Sequence, residues 1–139
     1  RDDDPERPVM KLIGRVFALK KIPPFEELLD AELCLIARIA HPRRYPPNGI
    51  IAGTGTPLSR LYIVVEGHLQ LADGTLLPRI LGVGSLMFEQ TAPQDILSAP
   101  GRETLCLTIN KHHFFTLIHE CPAFVLGLLK LADPEKGLL

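Results

Sequence analysis

The stretch RLYIVVEGHLQLADGTLL, residues 60–77, decides the fold of this 139-residue chain. Residues 60–66 and 68–72 are short apolar runs around a glycine, a composition typical of two β-strands joined by a turn. Asp73-Gly74 follows them and supplies the two positive-φ positions of a type I′ hairpin turn. The stretch therefore predicts short antiparallel strands joined by tight turns.

Similar apolar runs, separated by turn residues, occur on both sides of this stretch. Their regular spacing favours an antiparallel barrel or sandwich. Gly67, Gly82 and Gly84 are interpreted as corners that bend the sheet. The predicted strands are residues 50–52, 60–66, 68–72, 75–81, 85–89, 96–99 and 103–109.

Helical periodicity replaces the strand pattern towards both ends of the chain. Apolar residues at helical spacing in residues 9–17 and 33–40 predict two amphipathic helices, the second ended by Pro42. Asn110 is predicted to cap a third helix, and Pro122 to begin a fourth. Helices segregated from an antiparallel sheet make the fold class α+β.

Composition and charge indicate one globular domain and exclude several function classes. The chain is 46% apolar and 22% charged, with a net charge of -1. No strong field favours nucleic acid or an anionic membrane surface, and no apolar run is long enough for membrane insertion. Cys34, Cys106 and Cys121 lack any C-x-x-C spacing, so we expect buried thiols in a reducing, cytoplasmic compartment.

The chain is expected to have three parts, and the limits of its domain are those of a family resemblance described below. We expect residues 1–10 to form a flexible N-terminal segment and residues 11–132 to form the domain. Residues 133–139 are expected to be a C-terminal tail, and the chain to be a fragment of a longer protein.

Three motifs in a fixed order carry a family resemblance. They are Ile-Pro-Pro-Phe at 22–25, Tyr-Pro-Pro-Asn-Gly-Ile-Ile at 45–51, and Leu-Tyr-Ile-Val-Val-Glu-Gly-His-Leu at 61–69. Between residues 11 and 132 the chain resembles the cyclic-nucleotide-binding domain of catabolite activator proteins, cyclic-nucleotide-dependent kinases and cyclic-nucleotide-gated channels. The resemblance implies an antiparallel β jelly-roll barrel of about eight strands, flanked by N-terminal and C-terminal helices. Its opening is similar to copies attached to bacterial transporters or helical-repeat proteins.

The same resemblance implies where a ligand site would lie. In that family a phosphate-binding cassette presents the amides of a short helix to the cyclic phosphate. A Glu takes the ribose 2′-hydroxyl, and an Arg pairs with the phosphate. The resemblance places a vestigial cassette in this chain at Gly84, Ser85, Leu86, Met87, Phe88 and Glu89.

This chain departs from the family's Phe-Gly-Glu in two of the three positions. Met87 takes the Phe position and Phe88 the Gly position, so that only Glu89 is kept. Because the glycine lets backbone approach the ligand, we expect the ring of Phe88 to fill the pocket.

The charge of the cassette also departs from the family pattern. Residues 90–101 contain no Lys or Arg, and Asp95 adds negative charge near the phosphate position. Pro93 is expected to shorten the cassette helix. Arg79 or Arg102 could supply a cation from another strand, although such arginines are usually solvated.

Other constellations give no catalytic or metal site. His112 and His119 lie two helical turns apart, too far for one ion without a third element. His68 is not followed by the second histidine of a cupin barrel, and no nucleophile elbow is present. The basic residues Arg38, His41, Arg43 and Arg44 are interpreted as a solvated face. We therefore predict no enzyme, no metal and no cofactor.

The predicted function is a non-catalytic regulatory or interaction module that binds no cyclic nucleotide. Its partners would be other domains of a larger polypeptide or another protein. Two alternatives stay open: a second-messenger receptor with atypical ligand contacts, and the sensory domain of a transcription regulator. The apolar residues Phe124, Val125, Leu128 and Leu129 are expected to pack the last helix on the barrel or on a neighbouring domain.

Overall fold

The computed structural model of this chain describes residues 10–131. The flexible segment expected at residues 1–10 lies outside them except for Met10, which is half-buried and packs against the core. The tail expected at 133–139 lies wholly outside. The described residues form five α-helices and seven β-strands, which makes the fold class α+β as predicted.

Helices stand at both ends of the described chain, and one short helix interrupts the strands. A single 3-10 turn, Phe25–Glu27, joins the first two helices. The helices are α1 (Leu12–Lys20), α2 (Asp30–Ile39), α3 (Val83–Phe88), α4 (Lys111–Glu120) and α5 (Pro122–Leu131). The strands are β1 (His41–Tyr45), β2 (Ile50–Ala52), β3 (Arg60–Glu66), β4 (Leu69–Leu71), β5 (Ile80–Leu81), β6 (Ile96–Ser98) and β7 (Thr104–Asn110).

The strands form two antiparallel sheets. One sheet has the order β1-β7-β3-β5, and the other has the order β2-β6-β4. The resemblance implied about eight strands in a barrel, whereas the described residues give seven strands in two sheets that are not joined by a continuous ladder.

The four-stranded sheet is buried on both faces because its residues alternate between two apolar clusters. Leu61 and Ile63 of β3 pack with the helices in a helix-side cluster. Tyr62 and Val64 of the same strand pack against the second sheet in an inter-sheet cluster. A strand covered on both sides needs apolar residues at nearly every position, which is why residues 60–66 read as a continuous apolar run.

The predicted starts of the two C-terminal helices are confirmed. The side chain of Asn110 accepts a hydrogen bond from the backbone N–H of His113 at 2.8 Å, and Pro122 is the first residue of α5. Phe124 and Leu128 are buried in the helix-side cluster, and the ring of Phe124 lies 5.3 Å from that of Phe25. The apolar stripe of α5 therefore packs mainly within this chain.

Five predictions of local structure are wrong. Residues 75–81 were expected to be one strand, but only Ile80–Leu81 is a strand. Gly84 was expected to be a corner of the sheet but lies inside α3. Residues 85–89 were expected to be a strand but belong to α3 and its end, because a five-residue apolar run carries no clear period. Strand β1 was not predicted, since Pro42 and two arginines obscure its alternation. The hairpin after β4 exists, but Gly74 alone of the dipeptide has a positive φ. Its N–H bonds the carbonyl of Leu71, so this is a three-residue loop and not a type I′ turn.

No helix among residues 10–131 has the length and apolar character needed to span a membrane.

Candidate functional site

The helix that carries the predicted cassette residues, α3, follows a glycine that no other residue could replace without strain. Gly82 precedes α3 with a φ of +117°, in the left-handed region that favours glycine. A Cβ at this position would collide with the carbonyl oxygen of Arg60 on β3. Gly82 thus lets the backbone leave β5, pass close to β3 and turn directly into the cassette helix.

Helix α3 buries most of its residues and ends in a left-handed residue. Val83 and Leu86 are 3% exposed and belong to the helix-side cluster. Ser85 is 2% exposed, and its hydroxyl donates a hydrogen bond to the carbonyl of Gln90 at 2.7 Å. Glu89 ends the helix with a φ of +56°, so the chain reverses before Pro93. Pro93 therefore does not shorten the helix as expected.

The expectation that Phe88 fills the pocket is wrong. Its side chain is 60% exposed. The short helix buries the face that carries Val83 and Leu86, and Phe88 at its last turn falls on the opposite, solvent side. Met87 is half-buried against the helix-side cluster, and Glu89 is exposed.

The loop after α3, residues 89–95, which we call the cassette loop, is bound to the loop between β2 and β3. The N–H of Gly55 donates to the carbonyl of Ala92 at 2.8 Å, and the N–H of Ala92 donates to the carbonyl of Thr56 at 2.9 Å. The carboxylate of Asp95 accepts two further hydrogen bonds from Thr54, one from the backbone N–H and one from the hydroxyl, each 2.8 Å. These bonds fix the loop in one position.

A second set of hydrogen bonds joins the same loop to the hairpin after β4. Gln94 donates to the carboxylate of Asp73 at 2.9 Å through its side-chain amide nitrogen, and its amide oxygen accepts from the backbone N–H of Asp73 at 2.9 Å. Asp73 also accepts from the N–H of Thr75. Both polar groups of the Gln94 side chain are therefore used within the fold.

Two carboxylates with lowered pKa values lie on or beside the cassette loop. Hydrogen bonds from Gln94 and then Thr75 lower the pKa of Asp73 to about 2. Hydrogen bonds from Thr54 lower the pKa of Asp95. Both groups are therefore anionic at neutral pH. Glu89, at the end of α3, is exposed.

Neither arginine considered as a replacement cation is shown at the cassette. Arg79 donates from one guanidinium nitrogen to the carbonyl of Val64 at 3.1 Å, and it lines a cleft beside α1. Arg102 is exposed in the turn before β7.

The interior beneath the cassette loop is packed with side chains. Ala92 in this loop and Ile96, the first residue after it, are buried in the inter-sheet cluster with Tyr62 and Cys106. Burial raises the pKa of Tyr62, and it raises the pKa of the Cys106 thiol to about 12. Both groups are therefore neutral at physiological pH, which suits an apolar interior.

The other candidate residues lie apart from the cassette. His68, His112 and His119 are exposed, and no group of three or more possible ligands among residues 10–131 is arranged to hold a metal ion. Of the basic cluster, Arg44 contacts the carboxylate of Glu103 at 3.5 Å, while Arg43 is exposed on β1.

Sequence reasoning missed Thr54 and Gln94 as partners of the cassette loop. Thr54 lies in a Gly-Thr-Gly-Thr stretch that was interpreted only as a loop, and it is 41 positions from Asp95. Only the pairing of the two loops in the folded chain brings these residues together.

No family model and no curated protein matches the sequence, whereas solved structures match its fold. Cyclic AMP-bound PfPKA-R (141–441) superposes with a TM-score of 0.66 at 15% identity, covering 78% of this chain and 40% of that one. The regulatory domain of Toxoplasma gondii PKA with cAMP gives 0.66 at 14% identity, covering 87% and 50%.

A third structure is the regulatory subunit of a cAMP-independent protein kinase A from Trypanosoma brucei, as a triple mutant bound to cAMP in the A site. Its TM-score is 0.67 at 19% identity, and the match covers 86% of this chain and 46% of that one. This chain thus spans half or less of each structure. The described residues have the fold of a cyclic-nucleotide-binding domain.

Proposed function

We propose that this chain is a non-catalytic regulatory or interaction module whose cassette does not bind cAMP or cGMP. The domain would comprise residues 11–132 of a longer, cytoplasmic protein. The observation that carries the proposal is the bonding of Asp95, whose carboxylate holds the N–H and the hydroxyl of Thr54. In the family that the chain resembles, the corresponding region attracts a phosphate.

The electrostatics of the loop support this proposal. A cyclic phosphate is an anion and needs hydrogen-bond donors or a cation in a partly dry pocket. Residues 90–101 contain no Lys or Arg, and Asp73 and Asp95 carry negative charge on or beside the loop. An incoming phosphate would therefore meet negative charge on this loop, and the loop itself offers no cation to pair with it.

The size of this effect is large enough to abolish useful binding. Removing one partner of a buried, hydrogen-bonded charge pair costs about 2 to 5 kcal/mol. This corresponds to an affinity loss of roughly 30- to 3,000-fold.

The trypanosome structure offers a parallel. That protein is described as cAMP-independent, and its cAMP-bound form carries replacements of a glutamate by alanine, a threonine by arginine and a valine by alanine. Two of these changes remove a carboxylate and add a guanidinium. The cassette loop of this chain keeps a carboxylate, Asp95, and has no arginine. This supports the same independence from cAMP.

The thiols of this chain support a reducing location. Its fold supports a regulatory role. Cys34, Cys106 and Cys121 are all unbridged. The structural neighbours are regulatory subunits or domains of kinases, which are not themselves catalytic parts. We expect this chain to act on other domains or on a protein partner.

Titration calorimetry with cAMP and with cGMP tests the proposal. We expect no saturable heat at nucleotide concentrations up to about 1 mM. That result excludes a binding free energy more favourable than about -4 kcal/mol. Saturable binding that Glu89→Gln weakens would instead establish the receptor alternative. Saturable binding that Glu89→Gln leaves unchanged would also contradict the proposal, and would place the nucleotide elsewhere.

A further inference from the structure

A cleft of about 440 Å³ lies between α1 and the ends of two strands of the four-stranded sheet. Phe17 of α1 and Ile22, which follows that helix, form one wall, and Val65 and Leu105 form the wall on the sheet. Its volume lies within the range of sites that accommodate ligands or anchoring side chains. We call this feature the α1 cleft.

Helix α1 exposes large apolar side chains, one of which, Phe17, lines the cleft. Ile13 is 65% exposed and Phe17 is 59% exposed. They are four positions apart, so they lie one above the other and form a ridge on the outer surface of the helix. A contiguous apolar ridge next to a cleft is typical of an interaction surface.

A glycine lies beside this ridge, within the helix. A Cβ added at Gly14 would meet only the Cγ of Met10, at 3.8 Å, so the fold leaves open space there. Alanine is a much better helix former than glycine, and nothing in the packing excludes it. The surface of α1 thus has a gap at Gly14 beside a ridge at Phe17. Side chains of a second helix pack into such a gap when two helices associate.

The charges at the rim of the α1 cleft specify the partner further. Lys21 and Arg79 contribute two positive charges and Glu66 one negative charge. Arg79 is held at the rim by its hydrogen bond to the carbonyl of Val64. Within residues 10–131, neither Lys21 nor Arg79 forms an ion pair. A second copy of this chain would bring the same cations together, whereas an acidic partner would neutralise them.

We propose that the α1 cleft binds an acidic amphipathic helix of a partner protein. The apolar stripe of that helix packs on Ile13, Gly14 and Phe17, and carboxylates on its flank face Lys21 and Arg79. This inference rests on the proposed role as an interaction module. It does not depend on whether the cassette binds a nucleotide, so calorimetry with cAMP tests the two claims separately.

The proposal is tested with a displayed library of random peptides of roughly 16 residues, about four helical turns, selected on the full 139-residue chain. We expect the enriched peptides to share apolar residues at i, i+3 or i+4 and i+7, with Asp or Glu beside them. The affinity of a fluorescein-labelled winning peptide is then measured by anisotropy.

Variants of the chain locate the bound peptide. Gly14→Trp should weaken binding at least tenfold, about the effect of one lost anchor contact. Lys21→Glu combined with Arg79→Glu should weaken it about tenfold at low salt and flatten its salt dependence. Leu126→Asp, on an α5 residue that is 62% exposed, is the matched control and should leave binding unchanged.

Several results would overturn the proposal. These are an absence of enriched peptides, enrichment of basic peptides, or binding that Gly14→Trp does not affect. If Gly14→Trp lowers the melting temperature, Phe17→Asp replaces it as the blocking variant, because that side chain is mostly exposed. A dimer in light scattering that Phe17→Asp dissociates would assign the cleft to a second copy and contradict the proposal.

Discussion

The carboxylate of Asp95 and the backbone N–H of Thr54 are joined by a hydrogen bond of 2.8 Å, and the Thr54 hydroxyl bonds the same oxygen. An anionic side chain thus holds donors of the neighbouring loop. This contact is the basis of our proposal that the cassette is a structural element and not a nucleotide site.

The first prediction concerns pH. Hydrogen bonds to Asp73 lower its pKa from 3.8 to about 2 in the folded chain. A depressed pKa stabilises the fold above 3.8, and that stabilisation is lost as pH falls towards about 2. Asp73→Asn should therefore melt at a lower temperature than the unchanged chain at pH 6, and the gap should narrow below 3.8. A gap that stays constant across this pH range would contradict the account.

The second prediction concerns the glycine before α3. Gly82→Ala places a Cβ against the carbonyl of Arg60 at a φ of +117°. We expect a loss of more than about 2 kcal/mol in the free energy of unfolding, measured in urea. Gly74→Ala is the matched control, since it also has a positive φ but nothing within 4 Å. It should cost only about 1 to 2 kcal/mol, and equal costs would show that the close approach to β3 is unimportant.

The third prediction compares two leucines of α5. Leu128 is 1% exposed in the helix-side cluster, while Leu126 on the same helix is 62% exposed. Leu128→Ala should lower the free energy of unfolding by about 2 to 5 kcal/mol. Leu126→Ala should change it by less than about 0.5 kcal/mol. Similar losses for both variants would mean that α5 does not pack as described.

The fourth prediction concerns the thiols. Cys106 and Cys121 are buried, and desolvation raises the pKa of both. Cys34 is half-buried beside α1. Because the thiolate is the reactive form, a disulfide reagent at neutral pH should modify Cys34 first. Modification of the other two should follow only in denaturant. Rapid reaction of all three thiols in the native chain would be inconsistent with the packing.

The elements with strong local signals were predicted correctly from the sequence. The periodicity around Leu33 and Ile36 gives α2, and the cap at Asn110 gives the start of α4. These predictions succeed because the signal lies within a few residues of the structure that it specifies. The sequence of β3 shows only an apolar run. The alternation of its side chains between the two clusters is visible only in the structure.

The site was predicted less well because it depends on distant contacts. The position of the cassette followed from the resemblance, but the orientation of Phe88 depends on which face of α3 packs against β3. The partner of Asp95 is 41 positions away in the chain. The absence of Lys and Arg from residues 90–101 needed no structure, since it is a property of the sequence.

A site-resolved titration tests the central claim most directly. Amide resonances of the ¹⁵N-labelled chain are followed while cAMP is added to about 1 mM. The account predicts no saturable change at the amides from Val83 to Glu89 or at Thr54. Saturable shifts of these amides, at a common dissociation constant in the micromolar range, would show that the cassette binds the nucleotide and would contradict the account.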